Sequence, residues 1–183
     1  MLVTDGNKRS LIDLRYSEFE NATSVLGVPV NNLIFLNYPD GKLAQQSQAE
    51  IEKIFQNQID SCNPDIILYP HPGDKHPDHA TTGKIVEKIL GYSPNKIIVY
   101  KYLVHHDLYP RPKKYAPDLY TLPPISLISV DGGWERLMLS EETENLKQKA
   151  LKSYQSQLKN PLLKNLLESS IRKNELFAVE SLP

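Results

Sequence analysis

The sequence predicts an α/β domain: a parallel sheet in three layers, with helices on both faces. Three observations predict it. Short apolar runs at 33–36, 65–70 and 97–100 alternate with amphipathic stretches at three- and four-residue spacing. The apolar runs lack the polar alternation of a half-exposed sheet, as expected of strands buried on both faces. Each run ends in a segment rich in turn residues, where α/β sheets place their ligands.

Taken in order, Met1-Leu2-Val3 runs directly into Thr4-Asp5-Gly6, a turn signal, and reads as the end of a strand whose beginning is absent. From Arg15, the positions Tyr16, Phe19, Ala22 and Leu26 mark one face of a helix that Gly27 stops. Leu33-Ile34-Phe35-Leu36 is a buried strand closed by Asn37-Tyr38-Pro39-Asp40-Gly41. Ile51, Ile54, Phe55 and Ile59 mark a second helix, ended near Asn63-Pro64. The strand Asp65-Ile66-Ile67-Leu68-Tyr69-Pro70 leads into a loop of Pro, His, Asp and Gly. A helix from about Asp78 then turns Ile85, Val86, Ile89 and Leu90 inward, until Gly91 and Pro94 break it. Lys96 to Val104 holds a further strand, ending at His105-His106. Residues 107–124 form a proline-rich loop long enough to serve as a lid over a site. Helices are expected over 141–158 and around 162–171.

The 183 residues suit one domain, and 21 basic against 22 acidic side chains leave a net charge of -1. That balance gives no footing for nonspecific nucleic-acid binding. No apolar run approaches the ~20 residues that span a bilayer. A single cysteine, Cys62, forms no internal disulfide and points to a reducing, cytoplasmic setting. Oligomeric state is left open.

All five histidines fall at strand exits, at 71, 76 and 79 and at 105 and 106. Imidazole and carboxylate suit zinc, and His76 and His79 bracket Asp78 at a helix start, close enough to share a pocket. The same residues also fit plain helix capping, with Asp78 as the cap. Spacing alone leaves both readings open, and His71, His105 and His106 receive no role.

In chain order, several pieces resemble the LmbE-like (PIG-L) N-acetylglucosaminyl deacetylases. They are Val3-Thr4-Asp5-Gly6, Arg15 with Glu18, Leu26-Gly27-Val28, Tyr38-Pro39-Asp40-Gly41, His76-Pro77-Asp78-His79, and Lys149-Ala150-Leu151 with Tyr154-Gln155-Ser156-Gln157. The resemblance implies a Rossmann-like sheet and zinc-dependent hydrolysis of an N-acetylglucosamine-containing small molecule or glycoconjugate. It assigns His79 to zinc, His76 to stabilising and protonating the tetrahedral intermediate, and Asp78 to orienting His76. Arg15 and Asp40 become candidate substrate contacts. For Arg15 the competing reading is a helix-terminal ion pair with Glu18, and for Asp40 a turn residue before Gly41.

The family's His-Pro-Asp-Asp motif does not occur here, and His71-Pro72-Gly73-Asp74 does not replace it. The resemblance places in that motif a zinc histidine, a zinc aspartate and the general base, and it lies after a first strand. The expectation is therefore a sheet lacking its first strand and a zinc site reduced to His79. No stoichiometric zinc and no turnover are expected of the chain as written, with deacetylation belonging to the complete protein. The competing expectation is an inactive relative that binds sugar or a partner.

Overall fold

A computed structural model describes residues 2–4, 9–92, 97–107 and 109–179. Two compact units emerge: 1–40, 110–122 and 136–175 in the first, and 41–109, 123–135 and 176–183 in the second. The turn expected at Asp5-Gly6, the break at Pro94 and the strand start at Lys96 lie outside the described residues.

In the first unit, β1 (Leu2–Thr4) pairs in parallel with β2 (Phe35–Tyr38) as a two-stranded sheet, Leu2 opposite Phe35 and Thr4 opposite Tyr38. Between them runs α1 (Arg9–Val25), which starts a turn and a half earlier than its apolar spacing shows. Gly27 ends it at φ +80°, with Val28 N–H on the Thr23 carbonyl and Gly27 N–H on that of Ser24. Glycine takes that left-handed position without strain, and the paired bonds satisfy the last carbonyls. Tyr16 and Phe19 pack on Phe35, ring centroids 4.4 and 5.7 Å away. The helix expected over 141–158 is two, α4 (Glu141–Leu151) and α5 (Gln155–Leu158), and both pack on α1. α6 (Pro161–Ser169) follows, capped by Asn160, whose side chain accepts from Leu162 N–H.

In the second unit, β3 (Ile66–Pro70) and β4 (Ile98–Tyr102) pair in parallel, Ile66 opposite Ile98 through Pro70 opposite Tyr102. Two strands are not evident from the sequence, β5 (Gly133–Met138) and β6 (Asn174–Val179), each with residues in both units. They complete a sheet of order β3-β4-β6-β5, in which β6 runs antiparallel to β4. The expected all-parallel sheet is thus corrected to a mixed one, in a mixed α/β fold with flanking helices. Strands joined by helices imply parallel pairing, and that rule does not fix the direction of β6.

The expectation of strands buried on both faces also needs correction. Tyr69 and Val99 are 3% exposed, whereas Ile66, Leu68 and Ile98 are 48, 55 and 53% exposed. Side chains alternate along a strand, so an apolar run cannot tell whether both faces are covered. α2 (Gln48–Cys62) buries Ile51 and Phe55, and α3 (Pro77–Leu90) buries Ile85, Val86, Ile89 and Leu90 as its spacing predicts. α3 lies against β3 so closely that a Cβ on Gly83 would stand 2.4 Å from the Pro70 carbonyl oxygen.

Candidate metal and catalytic site

The site is built where β3 and β4 end. His71 continues the ladder, its N–H on the Tyr102 carbonyl at 2.8 Å, and Lys75 N–H reaches the His105 carbonyl at 2.6 Å. Asp74 welds the two exits together. Its Oδ1 accepts from His76 N–H (2.9 Å), and its Oδ2 from Val104 N–H (2.8 Å) and His105 N–H (3.0 Å). Burial alone would raise its pKa, but the His79 imidazole and the amides of His105, Val104 and His76 outweigh that and hold it at about 2. Asp74 is a buried carboxylate that stays ionised at neutral pH.

His76 caps α3, its Nδ1 accepting from Asp78 N–H at 3.3 Å. The N-cap is therefore His76 and not Asp78. With Nδ1 accepting, the proton of the neutral ring sits on Nε2. Three residues on, His79 lies on the same side of the first turn, and His105 closes the group from the end of β4. The three rings are mutual neighbours, with centroids 4.8 Å (76 to 79), 5.2 Å (76 to 105) and 5.0 Å (79 to 105) apart. Asp74, His79 and His105 each offer a donor atom, all within 4.8 Å of one another, so they have the chemistry and the proximity to hold a metal ion.

Asp78, expected to orient His76, directs its carboxylate elsewhere. Oδ2 accepts from Gly41 N–H at 2.7 Å and Oδ1 from Leu43 N–H at 2.9 Å, in a residue only 2% exposed. It ties the start of α3 to the 41–43 turn, while its own N–H serves His76. Arg15 and Asp40 are half-buried in the first unit, on α1 and just after β2, and the Arg15 Nε is buried without a hydrogen-bond partner. Glu18 is 4% exposed and both its oxygens accept from Ser156.

His71 takes part in a second buried group. Its Nδ1 accepts from Gly73 N–H at 2.8 Å and its Nε2 lies 3.0 Å from Asp131, which lies 2.9 Å from Lys101. The ring is fixed as the neutral Nε2–H tautomer, donating to Asp131. Sequence reasoning assigns no role to Asp74, His105 or Asp131. The clustering of histidines at strand ends is the one signal for His105, and Asp74 carries none.

A buried ionised carboxylate among imidazoles at strand exits defines the class: an α/β protein with a cluster of side chains that could hold a metal ion. Residues 1–90, just under half of the chain, match the family model of PIG-L, GlcNAc-PI de-N-acetylase, and over that stretch the chain is similar to the LmbE-like deacetylases. A probable N-acetyl-alpha-D-glucosaminyl L-malate deacetylase 2 of Bacillus anthracis is 31% identical over 90 residues, a match covering 49% of this chain and 39% of that relative. The match therefore spans less than half of the relative's length. The N,N'-diacetylchitobiose deacetylase of Pyrococcus horikoshii, solved with its inhibitor MPG, superposes with a TM-score of 0.63 at 20% identity, over 97% of this chain and 70% of that one. The A40926 pseudoaglycone deacetylase Dbv21 gives 0.62 at 24% identity, covering 92% and 70%. The conserved protein TT1542 of Thermus thermophilus gives 0.60 at 18%, covering 93% and 74%. At these identities the structural likenesses establish the fold, and they carry it well past residue 90.

Proposed function

We propose that the whole protein removes the acetyl group from an N-acetylglucosamine-containing small molecule or glycoconjugate by zinc-dependent hydrolysis. The observation that carries this reading is the His76, His79, His105 and Asp74 cluster at the strand exits, in a chain whose first 90 residues match a de-N-acetylase family.

When bound, zinc supplies Lewis acidity, polarising an acetamide carbonyl and bringing the pKa of water to ~7. His79 holds the metal. His76, with its proton on Nε2 by virtue of the Asp78 N–H on Nδ1, donates to the oxyanion and then to the leaving amine. Asp78 fixes the helix start from which both histidines project. Arg15 and Asp40 contact the sugar. Water is consumed as the C–N bond breaks, giving acetate and a free amino sugar. The activity is proposed for the whole protein because the match covers only 39% of the relative's length.

The test is release of primary amine and acetate from a panel of N-acetylglucosaminides by the full gene product loaded with zinc. Equimolar amine and acetate, abolished in His76→Ala, is the expected result. No release from any member, with retained binding of a labelled sugar, would favour the inactive, sugar-binding relative.

A further inference from the structure

We propose that Ile125, Ile128 and Val130 form a subsite for an apolar aglycone, so that the N-acetylglucosaminide this centre acts on carries a hydrocarbon group beside its sugar. The proposal rests on the deacetylase reading and adds to it the chemical class of the group attached to the sugar.

Three apolar side chains held out in water carry it. Ile125, Ile128 and Val130 are 85, 53 and 67% exposed, in a run from Pro123 to Val130 that contains no charge. Single apolar residues at a surface are ordinary, but neighbours grouped on one uncharged segment mark a contact surface. The segment is also firmly held. Leu127, at its centre, packs with Trp134 against the buried cluster of Leu103, Tyr109 and Leu176. Leu127 N–H bonds the Pro124 carbonyl at 2.9 Å, Val130 N–H bonds the Leu127 carbonyl at 3.2 Å, and Trp134 Nε1–H donates to that same carbonyl at 3.4 Å. Asp131, next in the chain, is fixed by Lys101 and His71. A segment anchored from within at its middle and its end has little left to order when a ligand covers its outer side chains.

Position selects the occupant. Ser126 Oγ lies 3.4 Å from Nε2 of His106, the residue after His105, and a Cβ on Gly73 would stand 3.4 Å from Leu127 Cδ2. The apolar segment therefore borders both loops that bring in the histidines, and all of these residues belong to the second unit. A hydrocarbon linked to a sugar at those histidines has this border to lie on. Three side chains fall far short of the ~20–30 residues a side of a stable protein interface, and they suit a chain of a few carbons. The run itself offers no charge to a phosphate or a carboxylate.

The test is binding and needs no turnover. Methyl, butyl and hexyl β-glycosides of N-acetylglucosamine, kept below micelle-forming concentrations, are titrated while the fluorescence of Trp134, the single tryptophan, is followed. Burying a methylene completely is worth about fourfold in affinity, and a face that covers one side of the chain about twofold, so hexyl should bind roughly 30-fold tighter than methyl. Ile125→Ser combined with Ile128→Ser should remove most of that gain, with the methyl glycoside's affinity and the far-UV dichroism unchanged. Leu162→Ser, at an 81% exposed position on α6, should keep the gain. No binding, equal affinities across the series, or a gain that survives in the double variant would overturn the proposal. A flat series with self-association lost in the double variant would give the face to a second copy, and a flat series with binding to phosphatidylcholine vesicles would give it to a membrane; either overturns the proposal. Amine release without the chain-length gain would refute the subsite alone, and the gain without amine release would refute turnover alone.

Discussion

Glu18 and Ser156, 138 positions apart, are joined by two hydrogen bonds: Oε1 accepts from the Ser156 N–H at 2.5 Å and Oε2 from its hydroxyl at 2.6 Å. Glu18 is 4% exposed, so the anticipated surface ion pair with Arg15 is not its main contact. The carboxylate binds the first turn of α5, where a free amide would otherwise need a partner. It also contributes, after burial, to raising the Tyr154 pKa.

Glu18→Ala strands that amide and should cost about 1–3 kcal/mol. Glu18→Gln should cost less, because its carbonyl can accept from the N–H and its amide can donate to the Ser156 oxygen. Urea unfolding followed by far-UV circular dichroism measures both. An unchanged midpoint in Glu18→Ala would show that this contact does not hold α1 to α5.

Gly83 is required by proximity. A Cβ there would meet the Pro70 oxygen at 2.4 Å and Pro72 N at 3.0 Å, both backbone atoms of the loop that carries the histidines. Alanine would gain about 0.8–1.0 kcal/mol of helix propensity, yet overpacking of this kind costs about 1–3 kcal/mol. Gly83→Ala should therefore lower the midpoint of urea unfolding followed by far-UV circular dichroism. A variant more stable than the parent would mean that α3 slides without resistance.

Asp131 supports His71 and Lys101 together, and the Asp131 and Lys101 side chains are only 2 and 3% exposed. Removing one partner of a buried ion pair is far worse than never having it, at about 3–5 kcal/mol. Asp131→Ala should fall in that range, and Asp131→Asn should be milder because it still accepts from His71 Nε2–H. The loss is read as a lowered unfolding midpoint, together with faster exchange of the His71 ring proton in NMR spectra. Equal midpoints for Ala and the parent would remove Asp131 from the core of this unit.

The helices around Ile51–Ile59 and Ile85–Leu90 and the strands β3 and β4 are legible because their signal is local: an apolar period and a stop. The His76 to His79 loop is legible for the same reason. β6 shows a buried and half-buried alternation along Asn174–Val179, but its buried face begins with Asn174, a polar residue satisfied by Thr121 fifty-three positions away. Asp74 looks like an ordinary turn residue, since what gives it meaning is the backbone of Val104 and His105, thirty residues on. Asp78 reads in sequence as a partner of its neighbour His76, whereas its carboxylate serves Gly41 and Leu43. Long-range partners of polar groups are what apolar periodicity does not encode.

Residues 110–122, part of the 107–124 stretch that reads in sequence as a lid, are tied down within the first unit through Arg172 to Asn174. Arg172 is 1% exposed and donates through Nη2 to the Pro112 carbonyl at 2.7 Å and through Nη1 to those of Lys114 at 3.3 Å and Ala116 at 3.2 Å. Lys173 N–H bonds the Leu119 carbonyl, and Asn174 accepts from Thr121 N–H at 2.8 Å. A planar guanidinium reaches carbonyls spread over five residues, which a lysine ammonium, a compact point charge, does not. Arg172→Lys should therefore loosen 112–116 while leaving the helices intact. Trypsin should cut after the exposed Lys113 and Lys114 several-fold faster in the variant than in the parent, with far-UV dichroism unchanged. Asn174→Ala should open the segment around Thr121 and leave the Lys114 site as resistant as before. If Arg172→Lys is cut no faster than the parent, the guanidinium does not hold the loop.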